Sequence, residues 1–294
     1  MIKFSWKPSG IGKEGRDLKD STRENLSYFG LYKRLLTVKK EIPAEKVSFG
    51  DHKDQYFLFF EPEKIISDKV IIWVHGGGWN AGRPKDFYYV GQAIAKAGYR
   101  CISLGYRLSV KFKYPCQIED VCAGYNKAIG FLRDKGIDVS KVIVSGPSAG
   151  AHLTSILCYS KADRERYGVD ISNVIGFIGF GGPYCFEKCQ DFTIRTLLNM
   201  LFTKEYDRKQ GEPLSLMTKS NIPMLLIQSE HDGLLDFGNA EVFEKKANEL
   251  GIKCELYRVE DEKNTHSWYT AGCFFETREE NKCIDKFFSY IENL

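Results

Sequence analysis

The sequence predicts an α/β fold in which a mostly parallel central sheet carries helices on both faces. Two observations predict it. Short apolar runs alternate with amphipathic stretches along most of the 294 residues, and the runs Val70–Val74 and Val142–Val144 contain no polar residue. Alternation indicates strand–helix–strand units, and wholly apolar runs are typical of strands covered on both faces. No repeat or linker divides the chain, so we expect residues 1–294 to form a single domain.

Strands and helices are expected in a regular order. Apolar runs bounded by turn residues predict strands at Val47–Phe49, Gln55–Phe60, Val70–Val74, Arg100–Leu104, Val142–Val144, Val174–Phe180, Met224–Gln228 and Cys254–Val259. Helical spacing of apolar residues predicts helices at Phe87–Ala97, Ile118–Lys135, Ala151–Tyr159, Asn239–Leu250 and Glu279–Ile291.

Two segments depart from this order. Residues 1–40 are expected to form an N-terminal arm, in which Ser21 or Thr22 caps a helix that runs through Leu35. Residues 184–220 carry apolar residues at helical spacing but no clear strand. We expect this second segment to be a small helical cap inserted above the sheet.

Composition and patterning exclude several classes of protein. The net charge is +3 without a basic block, so no nucleic-acid partner is expected. No apolar run reaches membrane-spanning length and no signal-peptide pattern is present, which predicts a soluble cytoplasmic protein without membrane insertion. The nine cysteines are scattered, as free thiols in a reducing compartment would be, and Cys185 and Cys189 lack a second pair that would complete a metal site. A homo-oligomer is compatible with the sequence.

The first chemical motif is Gly146-Pro147-Ser148-Ala149-Gly150, which follows a buried strand and precedes a helix. In that context Gly-x-Ser-x-Gly predicts a nucleophile elbow, a turn so sharp that Ser148 adopts a strained backbone conformation. Small neighbours on both sides leave room for the turn. The alternative is a serine that only caps a helix. We find no physical reason in the sequence for Pro147.

The second motif is His75-Gly76-Gly77-Gly78-Trp79, directly after Val70–Val74. Glycines allow backbone N–H groups to approach a substrate oxygen closely, as an oxyanion hole requires, together with the amide of the residue after the nucleophile, Ala149. A phosphate-binding loop would end in Lys-Ser or Lys-Thr, which this loop does not.

The later strand ends supply candidates for an acid and a base. Glu230, Asp232 and Asp236 follow Met224–Gln228 and compete for the task of orienting an imidazole, although each could simply be a solvated acid in a turn. Asp232 is favoured because it comes just past the strand end and precedes a glycine. Of the five histidines, only His266 is expected on a loop after the final strand. The chain order serine, acid, histidine supports this choice over an ordinary surface histidine.

Together these motifs resemble the α/β-hydrolases of the esterase/lipase group with an HGGG motif, which includes hormone-sensitive-lipase-like enzymes. Tyr106-Arg107-Leu108, Tyr114-Pro115 and Glu119-Asp120 also resemble the family segment between the two glycine motifs, so the likeness runs from about Val70 to His266. The resemblance implies an α/β-hydrolase fold that needs no cofactor and no metal. It further implies a catalytic triad of Ser148, Asp232 and His266, and an oxyanion hole formed by the amides of Gly76, Gly77 and Ala149.

The expected function is hydrolysis of small or medium carboxylic esters through an acyl-enzyme. The glycine motifs are also similar to those of arylformamidases, which leaves a formamide as the alternative substrate, and a hydrolase-like ligand-binding protein is the third reading. Pro147 stands where a polar residue is more usual in lipase-like members, which leaves the substrate open. Trp79, Trp268 and Tyr269 are expected either to line the substrate pocket or to belong to the core.

Overall fold

The computed structural model describes residues 18–109 and 111–294. Within them one sheet of eight strands has the order β1-β2-β4-β3-β5-β6-β7-β8. The strands are β1 (Ala44–Ser48), β2 (Tyr56–Phe60), β3 (Val70–Val74), β4 (Arg100–Leu104), β5 (Val142–Pro147), β6 (Val174–Phe180), β7 (Met224–Ser229) and β8 (Cys254–Val259). Only the β1–β2 and β2–β4 pairs are antiparallel. The predicted mostly parallel sheet is therefore confirmed.

The helices in the described residues pack on both faces of this sheet. They are α1 (Leu18–Leu36), α2 (Tyr88–Lys96), α3 (Cys116–Asp134), α4 (Ala149–Tyr159), α5 (Lys161–Tyr167), α6 (Phe192–Leu201), α7 (Pro213–Leu216), α8 (Gly238–Glu249), α9 (His266–Thr270) and α10 (Lys282–Glu292). Side chains alternate along β3, so that Ile72 joins the core cluster shared with α3, α4 and α8, whereas Ile71 and Trp73 join the cluster shared with α2 and α10. Both faces of the central strands are buried, which explains why their sequences are apolar throughout.

The N-terminal arm differs from its prediction at one end. Helix α1 already includes Leu18, so Ser21 and Thr22 lie inside it and the predicted cap is wrong. Thr22 is exposed, and a polar residue on the exposed side of a helix is tolerated without marking its start. Residues 1–17 of the predicted arm lie outside the described residues.

The segment 184–220 connects β6 to β7 and contains α6, α7 and two short 3-10 turns, Phe186–Lys188 and Arg208–Gly211. Ile194, Leu198 and Leu201 of α6 are buried in the main core. Leu197 lies against the loop after β3, because a β-carbon on Gly78 would be 2.8 Å from its Cδ1 atom. The segment therefore lies beside the glycine loop that the sequence singled out.

Candidate active site

The elbow after β5 is strained and tightly packed. Ser148 has φ 50° and ψ −119°, a conformation that costs about 1–3 kcal/mol for a residue with a side chain. Its amide donates a 2.7 Å hydrogen bond to the carbonyl of Phe180 on β6. A β-carbon on Gly150 would lie only 2.1 Å from the Val74 carbonyl oxygen, and one on Gly146 would lie 2.7 Å from the Gly150 carbonyl carbon. The two motif glycines are therefore required by the approach of backbones.

Ser148 is also distinguished by its exposure. Every other residue from Val142 to Ser160 is buried, and Ser148 alone is partly exposed. The turn thus lifts a single hydroxyl out of an otherwise closed region, as a nucleophile elbow does.

Pro147 now has a structural explanation. A β-carbon on Gly76 would lie 3.0 Å from the Pro147 carbonyl oxygen, 3.3 Å from its ring Cγ and 3.5 Å from the Ser148 Cβ atom. The proline ring therefore packs against the bare backbone of the glycine loop and fixes the spacing between that loop and the elbow.

The glycine loop turns through three consecutive residues with positive φ: Gly77 (104°), Gly78 (57°) and Trp79 (60°). Tryptophan rarely adopts this conformation, and two hydrogen bonds hold it there. Its indole Nε1 donates to His152 Nδ1 at 3.2 Å, and its carbonyl accepts from the Ser109 amide at 2.8 Å. Trp79 is completely buried, so its contacts indicate that it anchors the loop.

His75 stabilises the same loop from the buried side. Its ring stacks on Tyr106 at 4.3 Å, and its Nδ1 atom lies 2.7 Å from the Gly76 carbonyl, to which it donates. Burial lowers the pKa of His75 to about 4, so the ring is neutral near pH 7. Burial likewise lowers the pKa of His152 to about 4. Both histidines are therefore buried, neutral groups that contact the glycine loop or its tryptophan.

The amides that the sequence predicts for an oxyanion hole have no backbone partner in the loops and turns of the described residues. Among the described residues, the amides of Gly76, Gly77, Gly78 and Ala149 donate no hydrogen bond to a backbone carbonyl. Gly78 was not singled out from the sequence, and it shares this property with the three predicted donors.

The three candidate acids have different partners. Glu230 pairs with Arg258, and Asp236 accepts from the Gly238 amide at the start of α8. Asp232 is completely buried and lies 2.8 Å from His266 Nδ1 through its Oδ2 atom. The structure thus brings together the acid and the histidine that the sequence favoured.

The Asp232 carboxylate accepts hydrogen bonds from five groups of the described residues. Oδ1 accepts from the amides of Leu234 and Leu235, each at 2.8 Å, and Oδ2 accepts from His266 Nδ1, from the Tyr269 hydroxyl at 2.6 Å and from Gln228 Nε2 at 3.1 Å. Burial alone would raise the pKa of Asp232, but His266 and these hydrogen bonds outweigh it and lower the pKa. The carboxylate is therefore held ionised in one orientation. Sequence reasoning missed Gln228 because its contact with Asp232 depends on side-chain geometry rather than on a motif.

His266 begins helix α9, so the expectation that it lies on a loop is wrong. A five-residue helix is too short to show apolar periodicity, which is why the sequence did not reveal it. Its Nδ1–H faces Asp232, which leaves Nε2 as the acceptor that a general base needs. Burial opposes protonation, but Asp232 and then Glu24 outweigh it and raise the pKa of His266. In the described residues no hydrogen bond joins His266 to the Ser148 hydroxyl, a contact that often tightens only when substrate binds.

Comparison with known proteins identifies the family. The BD-FAE family model matches residues 58–247, more than half of the chain. The chain belongs to the BD-FAE family. Among curated relatives it is 26% identical to Esterase LipC of Mycobacterium tuberculosis over 222 residues, covering 70% of this chain and 55% of LipC. It is 31% identical to the Kynurenine formamidase of Debaryomyces hansenii over 146 residues, covering 42% of this chain and 48% of that protein. The chain thus spans about half the length of these two curated relatives.

Solved structures support the same fold for this BD-FAE chain. Esterase B from Lactobacillus rhamnosis superposes with a TM-score of 0.75 at 18% identity, with 94% of each chain covered. A hormone-sensitive lipase from a metagenome library gives a TM-score of 0.67 at 19% identity, covering 90% of this chain and 91% of the lipase. The α/β-hydrolase fold and the resemblance to HGGG-type esterases are confirmed.

The three aromatic residues expected near the substrate have other contacts in this BD-FAE structure. Tyr269 is completely buried and donates to Asp232, as described above, and Trp79 anchors the glycine loop. Trp268 is partly buried, its Nε1 donates to Glu276 at 3.1 Å, and the Arg34 guanidinium lies over its ring at 5.3 Å. These contacts are typical of packing and positioning groups, and a role in lining the pocket stays a prediction.

Two further features concern partners of the BD-FAE chain. In the described ranges no group of histidine, cysteine and acidic side chains is arranged to hold a metal ion. No helix in the same ranges combines the length and the apolar character needed to cross a bilayer.

Proposed function

We propose that this BD-FAE protein is a serine hydrolase that cleaves small or medium carboxylic esters. The observation that carries the proposal is the buried hydrogen-bonded pair of Asp232 and His266. The same chain presents a strained, partly exposed Ser148 with the Gly76 backbone beside it. LipC and Esterase B, whose names describe them as esterases, support the choice of an ester.

The reaction begins when His266 Nε2 takes the proton of the Ser148 hydroxyl as its oxygen attacks the ester carbonyl. The carbonyl oxygen becomes an oxyanion, which the amides of Gly76, Gly77 and Ala149 stabilise by hydrogen bonds. His266 then donates its proton to the leaving alcohol, and the acyl group stays on Ser148. Water, deprotonated by the same imidazole, then attacks the acyl-enzyme; the bond to Ser148 breaks, the carboxylic acid leaves, and His266 returns the proton to the serine oxygen.

Electrostatics favour this sequence of proton transfers. The ionised Asp232 lies 2.8 Å from His266 Nδ1 inside the protein, where a positive imidazolium is strongly stabilised by a neighbouring negative charge. The five donors on Asp232 keep the carboxylate from rotating or accepting the proton itself. The pair is thus arranged to stabilise charge on His266 during each transfer.

Segment 184–220 is proposed as the cap that shapes the acyl pocket, because Leu197 of this segment lies against the glycine loop. His152 links the two parts: it accepts from Trp79 and its Nε2 donates to the Gly211 carbonyl at 2.8 Å. A cap held in this way favours substrates of limited size.

A labelling experiment tests the proposal. Wild-type protein should react with a fluorophosphonate probe and hydrolyse p-nitrophenyl acetate, and Ser148→Ala should abolish both signals, since labelling needs an activated nucleophile. Ser145→Ala is the matched control, because Ser145 is a buried β5 residue whose hydroxyl donates to the Ile178 carbonyl. Full hydrolysis by Ser148→Ala protein would exclude this mechanism, and an unlabelled, inactive wild type would favour a ligand-binding protein.

A formamide is the second candidate substrate, and the similarity to a protein named Kynurenine formamidase favours it. The same triad can cleave a formamide, because His266 would protonate a leaving amine instead of an alcohol. Specificity constants for N-formylkynurenine and for short-chain p-nitrophenyl esters, measured on one preparation, distinguish the two substrates. A large preference for the esters excludes the formamide.

A further inference from the structure

Glu24 is a buried carboxylate on the N-terminal helix α1, far in sequence from the other site residues. Only 7% of its surface is exposed. Buried carboxylates need hydrogen-bond donors, and Glu24 finds them 242 and 243 residues further along the chain. Its Oε2 atom accepts from the His266 amide at 2.8 Å, and its Oε1 atom accepts from the Ser267 amide at 3.0 Å. One carboxylate therefore holds the first two residues of α9.

No local group performs this task. Thr265, which precedes α9, forms no capping hydrogen bond through its side chain. The first amides of a helix have no partner within the helix, so a group from elsewhere must satisfy them when they are buried. Glu24 does so at the residue that carries the proposed general base.

Glu24 also contacts the loop that carries the proposed acid. A β-carbon on Gly233, the residue after Asp232, would lie 2.8 Å from Glu24 Oε2. Glu24 is thus packed between the Asp232 loop and the start of α9, and its position restricts the geometry of both.

Contacts of Arg23 and Arg34 also hold α1 against the segment around α9. Arg23 forms an ion pair with Glu262 in the loop before α9, and Arg34 lies over the rings of Trp268 and Phe275. The Arg23–Glu262 pair lies nearer the surface than Glu24. Removing this pair therefore shows how much activity depends on the attachment of α1 alone.

The charge of Glu24 acts on His266 as well. Two negative groups from other elements face His266: Asp232 after β7 and Glu24 on α1; Tyr269 on α9 itself faces Asp232. Both carboxylates raise the pKa of His266 against the effect of burial. Burial in turn raises the pKa of Glu24, with His266 and the Ser267 hydrogen bonds opposing it.

We infer that Glu24 is a positioning residue for the general base: its carboxylate fixes the start of α9 and thereby holds the His266 ring in its position against Asp232. The inference rests on the proposed function, because it assigns Glu24 a part in that reaction. It makes helix α1 a component of the proposed active site.

Three variants test this inference in the full chain: Glu24→Gln, Glu24→Asp and the control Glu262→Gln. Glu24→Gln keeps the size of the side chain but removes its charge and places an amide donor against a backbone N–H. We expect kcat for p-nitrophenyl acetate to fall about 10-fold with KM unchanged, since small misplacement of a catalytic group is costly. Glu24→Asp keeps the charge on a shorter side chain, so it should lower kcat while leaving the pH profile close to that of wild type. Glu262→Gln should match wild type in kcat and in the pH profile.

The pH dependence separates positioning from stability. Removing the charge of Glu24 lowers the pKa of His266, so the acid limb of kcat/KM should move to lower pH in Glu24→Gln. The same shift should appear in an NMR titration of the His266 ring, which does not depend on activity. Melting temperatures identify any variant that loses activity only by unfolding.

The outcomes are distinguishable. An active wild type, an inactive Ser148→Ala variant and a Glu24→Gln variant with wild-type kcat and wild-type His266 titration would overturn the role of Glu24 alone. In Glu24→Gln, which removes the charge, a fall in kcat without any shift of the titration or acid limb would also overturn it, because it would show a purely structural effect. Hydrolysis by Ser148→Ala would instead refute the proposed function.

Discussion

The proposed nucleophile, Ser148, and the proposed base, His266, are held in different ways. The elbow around Ser148 is fixed by its own glycines: a β-carbon on Gly146 or Gly150 would lie within 3 Å of a backbone atom, so larger residues do not fit. The start of α9 is fixed by side chains from distant parts of the chain, with Asp232 on one side of His266 and Glu24 on the other. Constraints on a short stretch of backbone appear in the sequence as a motif, whereas hydrogen bonds between distant residues leave no motif. Substitutions around Ser148 should therefore lower activity through steric clashes, whereas substitutions around His266 should lower it through the loss of a charge or of a hydrogen-bond donor.

Among the variants that keep Ser148, the largest effect is expected on the base side, from Asp232→Asn. An amide in place of the carboxylate leaves the geometry nearly unchanged but destabilises the imidazolium and favours the wrong tautomer of His266, which in serine hydrolases lowers kcat about 10⁴-fold. Steady-state kinetics with p-nitrophenyl acetate measure this fall in kcat. Asp236→Asn is the matched control, because Asp236 accepts the Gly238 amide instead of contacting His266. Equal losses in the two variants would contradict the assignment of the acid.

An intermediate effect is expected on the nucleophile side, from Gly76→Ala. The new methyl group would lie 3.0 Å from the Pro147 carbonyl oxygen, and the loop must shift to relieve the contact. A displaced oxyanion donor typically lowers kcat about 10²-fold or more. Gly130→Ala provides the control, since a β-carbon there has no neighbour within 4 Å and should leave kcat unchanged. Wild-type kcat in Gly76→Ala protein would show that the loop does not hold the oxyanion.

A smaller effect is expected from Tyr269→Phe, which removes one of the five donors to Asp232. Its 2.6 Å hydrogen bond to Asp232 Oδ2 is charge-assisted, and such bonds contribute about 1.5–3 kcal/mol. Four donors remain, so we expect kcat to fall only about 10-fold. Tyr184→Phe is a close match, because the buried Tyr184 hydroxyl has no hydrogen-bond partner in the described residues. If both variants behave alike, the Tyr269 hydroxyl does not help to hold the acid.

Most of the framework was predictable from the sequence. The bounds of β3, β4, β6 and β8 agree with the prediction, because apolar runs flanked by turn residues are a strong local signal. The helix that carries His266 was missed because five residues are too few to show a period. The capping of α1 by Ser21 or Thr22 was also wrong, since polar residues occur on the exposed side of a helix as well as at its start.

The features of the candidate site also fall into those that the sequence predicts and those that only the tertiary structure reveals. By itself, the sequence determined the elbow, the glycine loop and the order of the candidate residues, because each depends on neighbours in the chain. The tertiary structure decided which acid faces His266, what Trp79 and Tyr269 contact, why position 147 is proline and that Glu24 lies at the base. Those features are contacts between residues 30 to 243 positions apart. Such contacts leave no pattern along the chain, because folding alone brings the partners within hydrogen-bonding distance.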